Sequence, residues 1–267
     1  MKSKGPELGS LSSKFFSYVQ LKNLDIVRTG EIAPILEISA LQEHDLFRRL
    51  SDSGWILRLK RGLYLVPPRL PAGGKYSPGT ALILQKLMGE EKGSYQICGP
   101  TAFHFYGFDD QIPTVTYLYN NRISGKRSIG SLAFQFIKVA DKRLGAINAV
   151  RTREDREMIY SSRARTLMDA VYDWYRFNSL PRGYEWIKEE VKNELKFTSE
   201  FIDVTATYGN VATIRRIGYL LDTLGLNPKI MNRLGRQLST SSSLIPWIPG
   251  RSAKGTINRQ WGIIING

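Results

Sequence analysis

Polar and apolar positions along this chain change their rhythm near residue 75. Before it, SKFFSYVQLKN (13–23) brings Phe15, Phe16 and Val19, with Leu24 just beyond, near one face at helical spacing. GEIAPILEIS reads as a short helix with Thr29 as N-cap and Ile32, Ile35 and Leu36 turned inward. Pro34 is tolerable there because it falls in the first turn. In SALQEHDLFRRLSDSG, Ser39 is the expected N-cap, and Gln42 three positions on completes a capping box. Leu46, Phe47 and Leu50 make that helix's inner stripe, and Gly54 closes it. WILRL and LYLV around a Lys60-Arg61-Gly62 turn predict a β-hairpin, stopped by Pro67 and Pro68. PRLPAGGKYSPG reads as a linker, so a domain boundary is expected at 68–77.

After the linker the pattern is mixed. SPGTALILQKLMG predicts a helix, and YQICGPTAFHFYGF a buried strand running into a short helix. TVTYLYNN and SLAFQFIKV are strand-like, with the basic stretch RISGKRSIG as the loop between them. Helices follow in ARTLMDAVYDWYRF, GYEWIKEEVKNEL and NVATIRRIGYLLDTLG, and NRQWGIIING suggests a last strand. No internal repeat is visible, and STSSS at 239–243 is a small polar patch. The expected fold class is α+β: a winged helix-turn-helix over residues 1–75, then a mixed α/β domain over 76–267 with a basic tail.

Charge turns this outline toward a partner. Lysine and arginine exceed aspartate and glutamate by 38 to 24, a net +14, and the pI is near 9.8. Such an excess concentrates polyanions by neutralising phosphates and releasing their counterions. After Asp222 no acidic residue occurs, while Lys229, Arg233, Arg236, Arg251, Lys254 and Arg259 follow. A hydrophobic share of 42% suffices for a proper core. No run reaches the roughly 20 apolar residues of a membrane helix. MKSKGPELGS has no apolar stretch behind its lysines, unlike a secretory signal. The single cysteine, Cys98, excludes an internal disulfide and fits a reducing compartment. A cytoplasmic protein is expected.

Three short helices and a two-stranded wing can place the third helix in the major groove of DNA. Its expected outward positions are Ser39, Gln42, Glu43, Asp45, Arg48 and Arg49. Gln42 can pair bidentately with adenine, and Arg49 can reach guanine or phosphate. His44 lies on the same helix and can touch DNA, although a partly exposed structural histidine is the plainer reading. Arg58, Lys60 and Arg61 sit on the wing, the last two at its tip, where phosphate or an adjacent minor groove would meet them. Glu43 and Asp45 count against a DNA-facing surface, since carboxylates repel phosphate unless one reads cytosine. A winged helix that docks protein remains the alternative for this unit.

The order of these parts resembles the AbiEi-family antitoxins of abortive-infection type IV toxin–antitoxin systems. TGEIAPILEIS…LFRRLSDSGWILRLKRGLYLVPP is similar to their N-terminal winged helix, through Arg58, Lys60, Arg61, Gly62, Leu63 and Tyr64. ICGPTAFHFYGFDDQIPTVTYLYNN resembles a second signature, a small-residue turn into an aromatic helix and a strand. ARTLMDAVYD matches a core helix through Ala164 and Asp169. The resemblance covers roughly residues 15–225. It implies an autorepressor that binds inverted repeats in its own promoter. It also implies a C-terminal domain that opposes a nucleotidyltransferase-like toxin without a stable complex.

Little else in the sequence carries chemistry, and no enzymatic activity, cofactor or metal is expected. His104, among the aromatics of TAFHFYG, reads as a packed core residue, and Cys98 as an inert thiol in an apolar strand. A Cys98–His104 nucleophilic pair therefore has little behind it. Asp109 and Asp110, with Glu190 and Lys192 later, faintly echo a metal-dependent nuclease. Glu190 and Lys192 fall on a helix two positions apart, however, where side chains do not share a face. Tyr117, Tyr119, Phe134 and Phe136 read as sheet packing; were they open beside Arg122, Lys126 and Arg127, they could face RNA.

Overall fold

The computed structural model describes residues 9–71, 75–193, 195–238 and 243–266. Part of the linker (72–74) and most of the STSSS patch (239–242) lie outside the described residues. The chain divides into two compact units: residues 1–93 with 126–134, and residues 94–125 with 135–267.

The first unit opens with α1 (Ser10–Leu21), strand β1 (Ile26–Arg28), α2 (Ala33–Leu36) and α3 (Ala40–Asp52). Strands β2 (Leu57–Lys60) and β3 (Leu63–Leu65) and helix α4 (Thr80–Glu90) follow. Phe15, Phe16 and Val19 of α1 pack with Leu46, Phe47 and Leu50 of α3, as the helical spacing requires. Each such side chain contributes about 1.5–3 kcal/mol by leaving water. The capping box forms as read: Ser39 Oγ accepts from Gln42 N at 3.2 Å, and Gln42 Oε1 accepts from Ser39 N at 2.8 Å.

Two local readings are corrected. Thr29 caps nothing, since α2 begins only at Ala33, behind Ile32. The wing also has a third strand. β1 pairs antiparallel with β3, giving the order β1-β3-β2. A three-residue strand is too short to announce itself by alternation. Gly62 makes the wing turn at φ +73°, a backbone state that other residues resist.

Helix α4, although it follows the linker, belongs to this first unit. Ion pairs attach it: Lys60 to Glu91 at 2.8 Å just past its end, Arg28 to Glu90, and Lys86 to Asp25. The compact unit therefore runs on past residue 75.

The second unit holds β4 (Tyr95–Ile97), α5 (Gly99–Phe105) and β5 (Val115–Asn120). β6 (Gly125–Ile129) and β7 (Leu132–Lys138) come next, and residues 126–134 of this hairpin count with the first unit. β8 (Ile147–Arg151) and β9 (Glu157–Ser161) complete a six-stranded sheet of order β6-β7-β5-β4-β9-β8. The basic stretch read as a loop thus contains strand β6. Helices α6 (Arg163–Tyr172), α7 (Trp174–Phe177), α8 (Arg182–Asn193), α9 (Leu195–Tyr208), α10 (Val211–Thr223) and α11 (Pro228–Gly235) follow. A three-stranded sheet closes the chain: β10 (Ile245–Pro246), β11 (Thr256–Asn258) and β12 (Ile263–Ile265).

The basic tail is no loose arm. Met231, Leu234, Trp261 and Ile263 lie in one core with Leu167 and Met168 of α6 and Ile217 of α10. Ala164 and Asp169, the two positions that carried the α6 resemblance, are fully buried. Asp169 accepts from Arg165 and Arg143, each at 2.9 Å. Arg165 also donates to the carbonyls of Gly145 and Arg143, so the charge at the centre of this unit is both paired and hydrogen-bonded. Gly99 explains the small-residue turn before α5. It sits at φ +55°, and a Cβ there would lie 2.5 Å from the Phe177 ring.

Candidate nucleic-acid interface

Helix α3 has one face in the core and one in solvent, and its period decides which residue lies where. At about 100° per residue, Glu43, Leu46, Phe47 and Leu50 share the inner face. Leu41, His44, Asp45, Arg48 and Asp52 share the outer one. Exposure agrees: Leu41 is 71% exposed, and the His44 and Arg48 side chains 65% and 62%. Between this face and the wing runs a groove of 390 Å³. His44, Arg48, Ser51 and Asp52 line it from the helix, and Arg58, Arg61, Gly62 and Tyr64 from the wing. Three guanidiniums against one carboxylate leave it electropositive. Arg48 is steadied by Asp45 at 3.0 Å, which neutralises a carboxylate that would otherwise face phosphate.

Glu43 does not belong to this surface. Its side chain is fully buried and points the other way. Oε2 accepts from Gly30 N at 2.6 Å, and Oε1 accepts from Ile32 N and Ala33 N at 2.9 Å each. The carboxylate thus holds the turn leading into α2, satisfying main-chain donors that helix geometry leaves without partners. Reading it as outward-facing treated a charged residue as solvated. A carboxylate with three N–H donors can instead be a structural pin.

Lys60 is likewise less available than its place at the wing suggested. Its ammonium pairs with Glu91, and its side chain is 33% exposed. Arg58 and Arg61 are exposed on the groove. Ser39 and Gln42 are exposed but bound to each other, so a bidentate grip on adenine would compete with the capping box. Arg49 is exposed on the flank of α3. The structure therefore gathers His44, Arg48, Arg58 and Arg61, sets Ser39, Gln42 and Arg49 around them, buries Glu43 and pairs Lys60 with Glu91. Leu41 is a member of this outer face that residue type alone does not suggest. Its position opposite the Leu46–Phe47–Leu50 stripe was the signal that could have found it.

The other candidates resolve individually. His104 is exposed rather than packed, with Nδ1 3.3 Å from the Asp109 carbonyl. It follows the inward Phe103 on a one-sided helix. Cys98 is buried, and burial pushes its thiol well above the ordinary value, with the Asp169 and Asp173 charges adding to the effect. Asp109 pairs with Arg182 at 3.0 Å, and Glu190 takes Arg163 on both oxygens at 2.5 and 2.6 Å. No cluster of three metal-ligating side chains occurs among the described residues. Tyr119, Phe134 and Phe136 are buried and Tyr117 partly so, which makes them packing and not a stacking platform. No helix among the described residues is long and apolar enough to cross a membrane.

The fold and the groove define a winged helix-turn-helix unit with a basic groove between helix and wing, carried on an α+β chain. Residues 17–67 match the family described as transcriptional regulator, AbiEi antitoxin. The resemblance read from the sequence is borne out on that segment, which holds the winged helix from within α1 through β3. No curated protein sequence matches the chain. Among solved structures, the crystal structure of RV2827C protein from Mycobacterium tuberculosis is similar, at 14% identity and a TM-score of 0.59. The match covers 98% of this chain and 94% of that one, and at this identity it speaks to the fold alone.

Proposed function

We propose that this chain is a DNA-binding antitoxin that represses its own promoter, acting in the cytoplasm within a type IV toxin–antitoxin pair. The observation that carries the DNA half is the groove between α3 and the wing, where Arg48, Arg58 and Arg61 converge on one surface. Guanidiniums so arranged suit phosphate oxygens and guanine edges. The match of this segment to a family of regulators and antitoxins supports the same reading. The segment up to the 68–77 linker reads DNA as a double-stranded promoter with inverted repeats. The remainder opposes a nucleotidyltransferase-like toxin without forming a stable complex with it. This toxin half rests on the family resemblance.

A gel-shift titration tests the DNA half, with the protein's own upstream promoter beside a shuffled duplex of equal length, at two salt concentrations. Selective retention of the promoter, weakening steeply with salt, is the expected result. Equal binding to both duplexes would refute the repressor. Co-expression with the neighbouring toxin gene tests the other half: growth should be rescued while the two proteins fail to co-purify.

A further inference from the structure

A leucine occupies the centre of the outer face of α3. Leu41 is the helix's second residue and is 71% exposed. At 3.6 residues per turn it lies within about 20° of Arg48 and nearly opposite Leu50. Single exposed apolar residues are common on protein surfaces and by themselves mean little. This one differs in its place. It stands in the first turn of the helix that enters the major groove, on the centre line of the charged face, and the first turn of a recognition helix is where base edges are met. Folding does not use it, because the core of this unit takes Leu46, Phe47 and Leu50 from the opposite side.

In the major groove the apolar feature within reach of a side chain is the C5-methyl of thymine. Leu41 has neither donor nor acceptor, so it cannot read the polar edges of guanine, cytosine or adenine. We propose that Leu41 reads a thymine methyl group in the operator, as an apolar specificity contact beside the phosphate and guanine contacts of the arginines. This rests on the DNA-binding reading above. It also supplies base discrimination at a surface where Gln42 is already engaged in its capping box.

Replacing thymine by deoxyuridine deletes that methyl and nothing else. The experiment measures the affinity of wild type, Leu41→Ala and Leu41→Met for the promoter duplex. It then repeats the measurement with each thymine in turn replaced by deoxyuridine. Wild type should lose about fourfold at one position per half-site, the effect of one buried methyl group. Leu41→Ala should bind the unmodified duplex more weakly and lose its sensitivity at that position, while Leu41→Met retains it. Circular dichroism melts that superimpose would establish that the variants are folded, as the exposure of Leu41 leads one to expect. If wild type is indifferent to every deoxyuridine, or Leu41→Ala shows the same losses as wild type, the inference is overturned although DNA binding stands. If wild type does not prefer the promoter to a shuffled duplex, the DNA-binding reading itself has failed.

Discussion

Replacing Glu43 by alanine separates a structural carboxylate from a DNA-facing one. Removing it strands three main-chain donors. Ile32 N–H is buried and would bear the full penalty of an unsatisfied group, about 1–3 kcal/mol. Gly30 is exposed and Ala33 partly so, and water can reach both, so their losses are smaller, about 0.5–1 kcal/mol each. The carboxylate no longer has to be dehydrated on folding, which offsets part of the total. A net loss of about 2–4 kcal/mol follows, a large fraction of a typical domain's stability. Glu43→Gln should lose about half as much. Its remaining carbonyl oxygen can still serve Ile32 and Ala33, while its amide would face the Gly30 donor.

Urea unfolding followed by far-UV circular dichroism reads the effect as a fall of roughly 1–2 M in the midpoint of the transition that reports this unit. Duplex affinity of the folded fraction should not change. An unchanged midpoint with severalfold tighter DNA binding would refute the reasoning. That is the outcome expected if Glu43 faced phosphate and its removal relieved a repulsion.

Further outcomes follow from the same geometry. Arg58→Ala with Arg61→Ala should weaken binding to every duplex and make the salt dependence shallower by about one to two units. Lys60→Ala, its charge already matched by Glu91, should change that slope by much less. Asp169→Asn would leave the buried Arg165 guanidinium without its counter-charge and should cost about 3–5 kcal/mol in thermal or urea melts of the second unit. Cys98 should resist thiol reagents at pH 8 in the native protein and react fully in denaturant, since burial raises its folded pKa and keeps it protonated. Fast labelling of the native thiol would contradict its placement.

The helical period of Phe15, Phe16, Val19, Leu46, Phe47 and Leu50, the Ser39–Gln42 box and the glycine turn of the wing were all legible in the sequence. Each rests on local spacing and on side chains that act within a few residues of themselves. So were α4, α5, α6, α8 and α10, each from its own local run of apolar and polar residues, whereas α9 and α11 were not read. The strands β1, β6, β8 and β9 were not: β1 is three residues long and pairs with β3 from far along the chain, while β8, though paired with its neighbour β9, is almost wholly exposed. β1 exists because β3 is there to pair with it.

The candidate site divides in the same way. Residue type alone placed Arg48, Arg58 and Arg61 on the surface, since an unpaired guanidinium is costly to bury. Glu43 and Lys60 have the same charged character, yet tertiary structure buried the first and paired the second. Main-chain donors from the turn before α2 were waiting for one, and Glu91 beyond the linker for the other. A charge is exposed by default, and only its partners bury it, as for Glu43, or occupy it, as for Lys60. Those partners lie 10–13 residues away for Glu43 and 31 for Lys60, and only the folded chain brings them together.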